Sequence, residues 1–348
     1  MLYDPARHEP LLDTDWDEDR VRACIKHIVV DAEARFTAQA WWPPHPLDVE
    51  PGEDAQQPCT PLYYGACGVA WALHYLQDVG AVRLQRSYRE AALMGDLLAR
   101  NTAWLGDEAA TQAASFMMGE LPLRLVEFGV QPLPQTEDRL HALIAGNMTH
   151  PARELMWGSP GTLLAALFLH RRTGDTHWAD LFSRTAAMLW SQLLWSDEFA
   201  CHYWTQDLYG RQSTYIDAVH GFVATALPLI HGRDLLSPAD WAAWQACIEN
   251  TVQRTATWEG PLANWRAHLT PAPTKPLLMQ YCHGAPGFVI CLAEMPGHTL
   301  DPLLLAAGEA TWAAGPLTKG SNLCHGTGGN GYAFLKLWQR TGDPMWLQ

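Results

Sequence analysis

SNLCHGTGGNG, residues 321–331, contains a Cys-His-Gly triplet and further glycines directly before an apolar run. An earlier segment, QYCHGAPG at residues 280–287, repeats Cys-His-Gly before the apolar run FVICLAE. Glycine permits tight backbone turns, and runs this apolar are typical of helices buried on most sides. Cys and His bind zinc well, so two Cys-His pairs at the mouths of two helices predict a metal site.

The glycine turn with its apolar run recurs along the chain, which predicts a repeat architecture. Clear copies begin at Gly65, Gly158, Gly284 and Gly326, and weaker copies begin at Gly119 and Gly221. The spacing leaves room for one further helix in most copies. Pro228 interrupts the apolar run after Gly221, so we expect that inner helix to be kinked or short.

Two copies share a second marker, the sequence RTGD at residues 172–175 and 340–343. Each unit therefore consists of a glycine turn, an apolar helix, an RTGD turn and an amphipathic helix. Such units predict an all-α fold, an α/α toroid of inner helices wrapped by outer helices. We expect one domain over residues 1–348 with an acidic leader at residues 1–19. Because the chain ends just after the second RTGD, we also expect the last hairpin to be missing.

Composition narrows the possible partners of the protein. The net charge is −14 and the chain has only four lysines, which argues against binding to nucleic acid or anionic membranes. We expect no membrane-spanning segment, because no apolar run is long enough. The first residues lack the pattern of a secretory signal, and the eight cysteines are scattered. The sequence therefore predicts a cytoplasmic protein whose partner is a peptide or a small molecule.

Several motifs together resemble the lanthionine synthetase C-like (LanC-like) family. They are ELMWGSPG, AVHGF, CHGAPG and WAAGPLTKGSNLCHGTGGNGYAFLKLWQRTGD, in this order. The resemblance runs from about Gly65 to the end and is closer to the stand-alone LanC-like branch than to the lantibiotic cyclases. It implies an α/α toroid with seven inner helices. Six copies are found here, so the expected missing hairpin would be the seventh.

The resemblance implies one zinc ion bound by Cys282, Cys324 and His325. Three protein ligands and an open position are typical of a catalytic zinc. His283 is expected to form hydrogen bonds near the zinc without binding it. A thiol bound to such a site loses its proton. The family forms thioethers by adding a peptide cysteine or glutathione to a dehydroalanine or dehydrobutyrine, so the resemblance implies an enzyme of this kind.

Thiol addition to such an acceptor forms an enolate, which must be stabilised and then protonated at carbon. The repeat places His220 at an inner-helix mouth, on the side of the zinc ligands, and the family has its acid-base histidine there. Glu154 lies four residues before Gly158, where the cyclases have an aspartate. It either orients His220 and assists proton transfer or caps the start of a helix.

A cation near the metal is needed to hold the carboxylate of an anionic thiol such as glutathione. Lys319 lies five residues before Cys324 and is the candidate, although a solvated surface lysine fits the sequence equally well. Arg211 and Lys275 are further candidates. Leu278 replaces an arginine of the cyclases, which argues against a lantibiotic substrate.

Two alternatives remain open from the sequence. A six-hairpin glycosidase has a similar toroid and needs two carboxylates across a cleft, for which Glu154 and Asp217 are the obvious candidates. A non-catalytic module would bind zinc and glutathione, or a dehydrated peptide, without turnover. The glycosidase alternative leaves the paired Cys-His motifs unexplained.

Overall fold

The structure is a computed structural model that describes residues 1–12, 14–45, 49, 58–271 and 275–348. The described chain is mostly helical and divides into two compact units. One unit is Asp15–Asn147, and the other combines Met1–Thr14 with Met148–Gln348. The second unit, called the site unit below, carries every candidate site residue. The predicted organisation as one domain stays a prediction.

The unit of residues 15–147 is built from helices. They are α1 (Glu18–Arg35), α2 (Ala66–Asp78), α3 (Ala91–Leu105), α4 (Ala109–Gln112), α5 (Leu121–Val130) and α6 (Pro134–Gly146), with a 3-10 helix at Gly106–Glu108. The Asp17 side chain accepts a hydrogen bond from the N–H of Arg20 at 2.9 Å, and this cap fixes the start of α1. The Phe36 ring packs against Trp41, Trp42 and Tyr88 at centroid distances of 4.9–5.5 Å.

The site unit contains the remaining helices and all the described strands. Its helices are α7 (Ser159–Thr173), α8 (Thr176–Ser191), α9 (Phe222–His231), α10 (Pro238–Thr255), α11 (Ala285–Leu292), α12 (Asp301–Ala314) and α13 (Thr327–Thr341), with 3-10 helices at Pro5–Arg7, Arg233–Leu235 and Pro344–Leu347. Its strands are β1 (Leu194–Ser196), β2 (Cys201–Tyr203), β3 (Gln206–Leu208), β4 (Arg211–Ser213), β5 (Thr257–Glu259) and β6 (Leu262–Asn264).

The six predicted glycine turns all introduce helices. Five of the glycines are the residues directly before α2, α7, α9, α11 and α13, and Gly119 lies two residues before α5. Both RTGD turns also end a helix: Gly174 and Gly342 adopt φ values of 77° and 70° after α7 and α13. This left-handed conformation is one that glycine adopts without steric cost. The repeat predicted from the sequence is therefore confirmed along the described chain.

The helices of one repeat divide into a buried and an amphipathic partner, as predicted. α7 is buried along most of its length, whereas α8 buries the face formed by Trp178, Leu181, Phe182 and Leu189. α9 has 10 residues against 15 in α7 and contains Pro228. We expected the helix that contains Pro228 to be either kinked or short. The structure shows that it is short.

Three antiparallel hairpins were not predicted. β1 pairs with β2, β3 with β4, and β5 with β6, each over three residues. A strand of three residues is too short to show the alternating hydrophobic pattern that reveals strands in a sequence. The prolines of WWPPHPLDVEPGEDAQQPCTP predict a loop over residues 41–61, which lies partly outside the described residues, at 46–48 and 50–57.

The predicted acidic leader begins with a segment that is hydrogen bonded to the rest of the site unit. The N–H of Glu9 donates to the carbonyl of Pro316 at 2.8 Å, and the N–H of Thr318 donates to the carbonyl of Arg7 at 3.1 Å. The side chain of Leu2 is buried. These contacts place Arg7 beside the segment that leads into the second Cys-His-Gly turn.

The glycines at these turns bring two backbone segments into contact. A Cβ added at Gly329, in the first turn of α13, would lie 2.3 Å from the carbonyl oxygen of Leu323 and 2.8 Å from Cβ of Tyr281. A Cβ at Gly331, two residues further along the same helix, would meet nothing within 4 Å. The close approach at α13 therefore requires glycine at position 329 and not at position 331.

Gly329→Ala should lower the free energy of unfolding by about 1–3 kcal/mol, because the added methyl group has no room beside fixed backbone. Gly331→Ala should raise it by about 0.5–1 kcal/mol, because alanine favours the helix. Urea unfolding followed by circular dichroism measures both values. Equal effects of the two substitutions would contradict the close approach described here.

Candidate metal centre and acid-base pairs

Each inner helix follows a tight turn that fixes the residues before it. In the turn at Gly158 the glycine N–H donates to the carbonyl of Glu154 at 2.9 Å, and Gly326 donates to the carbonyl of Asn322 at 3.1 Å. The side chain at this fourth position also accepts backbone N–H groups, as Asn322 does from His325 at 2.7 Å. Such local bonds hold a turn in one conformation. The two residues directly before the glycine are thereby held at the helix mouth.

The two Cys-His-Gly turns bring three metal-binding side chains together. Ligand atoms of Cys282, Cys324 and His325 all lie within 4.8 Å of one another. The Cys324 Sγ is 4.0 Å from Nε2 of His325, and the N–H of Cys282 donates to the carbonyl of Cys324 at 3.2 Å. Zinc with sulfur bonds of ~2.3 Å needs tetrahedral ligand atoms roughly 3.5–4 Å apart. The spacing and chemistry of these three side chains therefore fit zinc.

The pKa of the Cys282 thiol depends on its neighbour Cys324 and on its burial. A hydrogen bond shared with Cys324 raises the pKa of Cys282 well above its ordinary range, and burial raises it further. Gln280 opposes this shift, because its side-chain amide donates to Sγ of Cys282 at 3.0 Å. A metal dication would remove the cost of placing two thiolates side by side.

His325 is held in the form that binds metals. Burial lowers the pKa of His325, and the positive charges of Lys319, His283 and Arg7 lower it further. A lowered pKa leaves the imidazole neutral near pH 7, and neutral imidazole is the metal ligand.

His220 forms a close pair with Glu154 in the same unit. Nδ1 of His220 lies 2.8 Å from Oε2 of Glu154, whose side chain is fully buried. The Glu154 carboxylate also accepts from the backbone N–H groups of Met156 and Trp157. Glu154 therefore caps the turn before α7 and is also hydrogen bonded to His220, so capping and pairing with His220 coexist. Its part in proton transfer stays a prediction.

The pKa of His220 reflects this partner. Burial lowers it, but the hydrogen bond and the charge of Glu154 outweigh burial, and the charges of Asp217 and Cys324 add to the effect. The pKa of His220 therefore lies above its ordinary value. The His220 ring lies 5.3 Å from the ring of Tyr215, which lies 6.1 Å from the ring of His283, the residue directly after Cys282.

A second pair of the same kind was not predicted. Nδ1 of His283 lies 2.6 Å from Oδ2 of Asp217, a buried carboxylate that also accepts the N–H groups of Val219 and His220. Among the described residues, the side chains of this site that could together hold a metal ion, Cys282, Cys324 and His325, do not include His283. His283 was expected to form hydrogen bonds, as it does with Asp217, and its expected exclusion from the zinc ligands stays a prediction.

The cation candidates differ in position. The side chain of Lys319 is exposed, and its positive charge lowers the pKa of His325. Arg211 and Lys275 are also exposed. Arg7 was not considered from the sequence, although its guanidinium approaches the side-chain oxygen of Gln280 at 3.4 Å. No motif marks Arg7, because its place depends on contacts over more than 270 residues of sequence.

The sequence contains this pairing pattern. It becomes visible when the copies are aligned on their glycines. His220, His283 and His325 each directly precede the glycine of their copy, and Glu154, Asp217 and Gln280 each lie four residues before it. Both carboxylate–histidine pairs join residues separated by 66 positions. Each carboxylate thus contacts the histidine of the following copy.

Comparison with known proteins agrees with this geometry. The sequence profile of the family described as "Lanthionine synthetase C-like protein" matches residues 134–348. "Glutathione S-transferase LANCL1" of Danio rerio is 29% identical over 147 residues, which are 39% of this chain and 33% of that protein. "LanC-like protein GCL1" of Arabidopsis thaliana is 29% identical over 202 residues, which are 56% of this chain and 44% of that protein. The matches thus span less than half of either relative.

The fold is shared with "Nisin cyclase", an α/α toroid, at a TM-score of 0.58 over 94% of this chain and 84% of the cyclase. At 14% identity this likeness concerns the fold alone. It confirms the toroid class predicted from the repeats. None of the helices in the described part of the chain has the length and hydropathy of a membrane span. By the profile match and its two LanC-like relatives, the chain belongs to the lanthionine synthetase C-like family and stands closer to the stand-alone LanC-like branch.

Proposed function

We propose that the chain catalyses zinc-dependent addition of a thiol to a dehydroamino acid, forming a thioether. The observation that carries this proposal is the convergence of Cys282, Cys324 and His325 in the unit that also holds the His220–Glu154 pair. The thiol is glutathione or a peptide cysteine. The acceptor is dehydroalanine or dehydrobutyrine in a peptide or protein.

A zinc ion fits the three side chains by distance and by chemistry. Two thiolates and a neutral imidazole would compensate the double charge and leave one position of a tetrahedral site open. When bound there, the ion would take a substrate thiol as its fourth ligand and hold it as a thiolate nucleophile.

His220 is proposed to supply the proton that completes the addition. The substrate sulfur forms a bond to the β-carbon of the acceptor, and the electron pair of the double bond moves to give an enolate. Because Glu154 engages Nδ1 of His220, Nε2 is the nitrogen that can transfer a proton to the α-carbon. The raised pKa of His220 favours the protonated imidazole that this step requires.

Two observations support glutathione as the thiol substrate. One relative carries the name glutathione S-transferase, and the positive charge of Lys319 acts on the pKa of His325. We propose that Lys319 holds a carboxylate of the thiol substrate, since a local cation is needed in an acidic protein. The reduced thiols of such a site suit the cytoplasm, which is the proposed location.

The two alternative functions, a glycosidase and a non-catalytic binding module, assign different roles to the same residues. A glycosidase needs one carboxylic acid and one carboxylate facing the substrate, but Glu154 and Asp217 are fully buried and occupied by histidines and backbone N–H groups. The binding-module alternative shares the metal site with the enzyme. It differs only in turnover, so it is tested by the activity of His220 variants.

Cys324→Ala should abolish zinc binding, because it leaves two protein ligands instead of three. Cys291→Ala is the matched control, since Cys291 is a buried cysteine of α11 outside the cluster. Elemental analysis after dialysis should give about one zinc per chain in wild type and in the control, and none in Cys324→Ala. Equal zinc content in all three proteins would contradict the proposed ligands.

His220→Ala should retain zinc and lower the rate of glutathione addition to a dehydroalanine peptide by about 10²–10⁴-fold, the usual contribution of a positioned general acid. Product formation is followed by mass spectrometry. If wild type binds zinc but forms no thioether with any dehydrated peptide, the binding-module alternative is correct. Loss of zinc from His220→Ala would contradict the division between metal ligands and acid.

Glu154→Gln should lower the pKa of His220, because burial then acts without the neighbouring charge. Titration of histidine side-chain resonances by NMR measures the pKa. A raised folded-state pKa means that the stabilising contribution of the pair is full below the unfolded value of ~6.5 and is lost as pH rises through the folded value. The destabilisation caused by Glu154→Gln should therefore be larger at low pH than at high pH.

Glu294→Gln serves as the control for this titration. Glu294 pairs with His231 at 3.3 Å, so the substitution removes a carboxylate from a different histidine. It should leave the pKa of His220 unchanged. A His220 pKa that is the same in wild type and Glu154→Gln would show that Glu154 does not set the protonation of this residue.

A further inference from the structure

A small cavity of the site unit lies at the C-terminal end of α10. It has a volume of about 70 Å³ and is lined in part by Ile216, Arg254, Thr255, Arg266 and His268. A water molecule needs about 10–15 Å³ of such volume, so the cavity holds roughly five water-sized groups. It accommodates a small ion and is too small for a peptide.

Two arginines of this cavity lack an acidic partner. Nη1 of Arg266 donates to the carbonyl of Thr270, whereas its Nε is buried without a hydrogen-bond partner. Arg254, in the last turn of α10, forms no ion pair with any residue that the structure describes. A buried N–H without an acceptor is costly, so an oxygen acceptor from outside the chain, either a water molecule or an anion, would stabilise this arrangement.

Arginines without an acidic partner are unexpected in a chain that has many more acidic than basic residues. Aspartate and glutamate number 37 against 23 lysines and arginines, and another arginine of the same unit, Arg340, is paired with Asp301. A carboxylate within reach would satisfy Arg254 or Arg266 in the same way. Two arginines that line one cavity, with no carboxylate among the lining residues, are an arrangement that suits oxyanion binding.

The cavity is connected to the acid-base pairs through aromatic contacts. The His268 ring lies 4.0 Å from the ring of Tyr215, and Tyr215 lies 5.3 Å from His220 and 6.1 Å from His283. The charge of Asp217 also reaches His268. Because His283 and two backbone N–H groups engage Asp217, this carboxylate is already compensated and leaves the arginines available.

We propose that Arg254, Arg266 and the surrounding cavity form a binding site for a phosphate group. The group carries close to two negative charges, which two guanidinium groups match, and its oxygens can accept from Nε and Nη of both side chains. It comes either as inorganic phosphate or as a phosphate monoester. The site is distinct from the metal centre and does not depend on the proposed thiol addition.

Isothermal titration of the full chain with inorganic phosphate at low ionic strength tests the site. Wild type should bind about one equivalent, and Arg254→Gln and Arg266→Gln should each weaken binding by at least about tenfold, as expected for loss of a hydrogen bond to a charged group. Arg184→Gln is the matched control, since Arg184 is an exposed arginine of α8 paired with Asp180. Its affinity should equal that of wild type.

Two further measurements test whether the phosphate site is independent of the metal centre and whether it prefers free phosphate or a phosphate monoester. Cys324→Ala, which should lack the metal, must still bind phosphate if the site is independent of the metal centre. Titration with O-phosphoserine distinguishes a monoester from the free ion by which of the two binds more tightly. No binding to wild type, equal affinity in the cavity variants and wild type, or equal weakening by Arg184→Gln would overturn the proposal. Arg254 lies on the surface, so its variant tests the site even if Arg266→Gln fails to fold.

Discussion

The tight turn before each inner helix is the constraint on which the candidate site depends. The glycine leaves no room for a side chain where two backbone segments meet, as at Gly221, where an added Cβ would lie 2.1 Å from the backbone nitrogen of Asp217. With this approach fixed, Asp217 and Asn322, each four positions before its glycine, cap their turns by accepting backbone N–H groups. Glu154 does the same before Gly158. A helix alone would not hold adjacent residues such as Cys324 and His325 toward one point, because neighbours on a helix point in different directions.

The repeated turn also explains how charge is arranged. Carboxylates at the capping position of one copy contact histidines of the next copy, which gives the two buried pairs 66 residues apart. In the last two copies the residue two before the glycine is a cysteine, and the two thiols then lie side by side. One backbone motif thus yields a cluster that favours a dication and, in the same unit, a histidine whose protonated form is stabilised.

Much of this could be predicted from local sequence. The glycines, the apolar runs and the RTGD turns predicted the inner helices and their partners, because backbone conformation and helix burial leave local patterns. The family resemblance predicted Cys282, Cys324 and His325, and the structure brings them together. The Asp217–His283 pair and the contact of Arg7 with Gln280 were missed. These depend on which copies are neighbours in space and on where the first residues pack, and no local pattern encodes either.

In the proposed site, two thiolates and one imidazole would hold a zinc ion that takes a substrate thiol as a further ligand. X-ray absorption at the zinc edge, recorded on the purified chain with and without glutathione, tests this most directly. We expect two sulfur ligands at ~2.3 Å and one nitrogen ligand at ~2.0 Å without the thiol, and a third sulfur ligand after glutathione is added. A zinc ion already bound by four protein ligands, or a spectrum unchanged by glutathione, would contradict the proposed site.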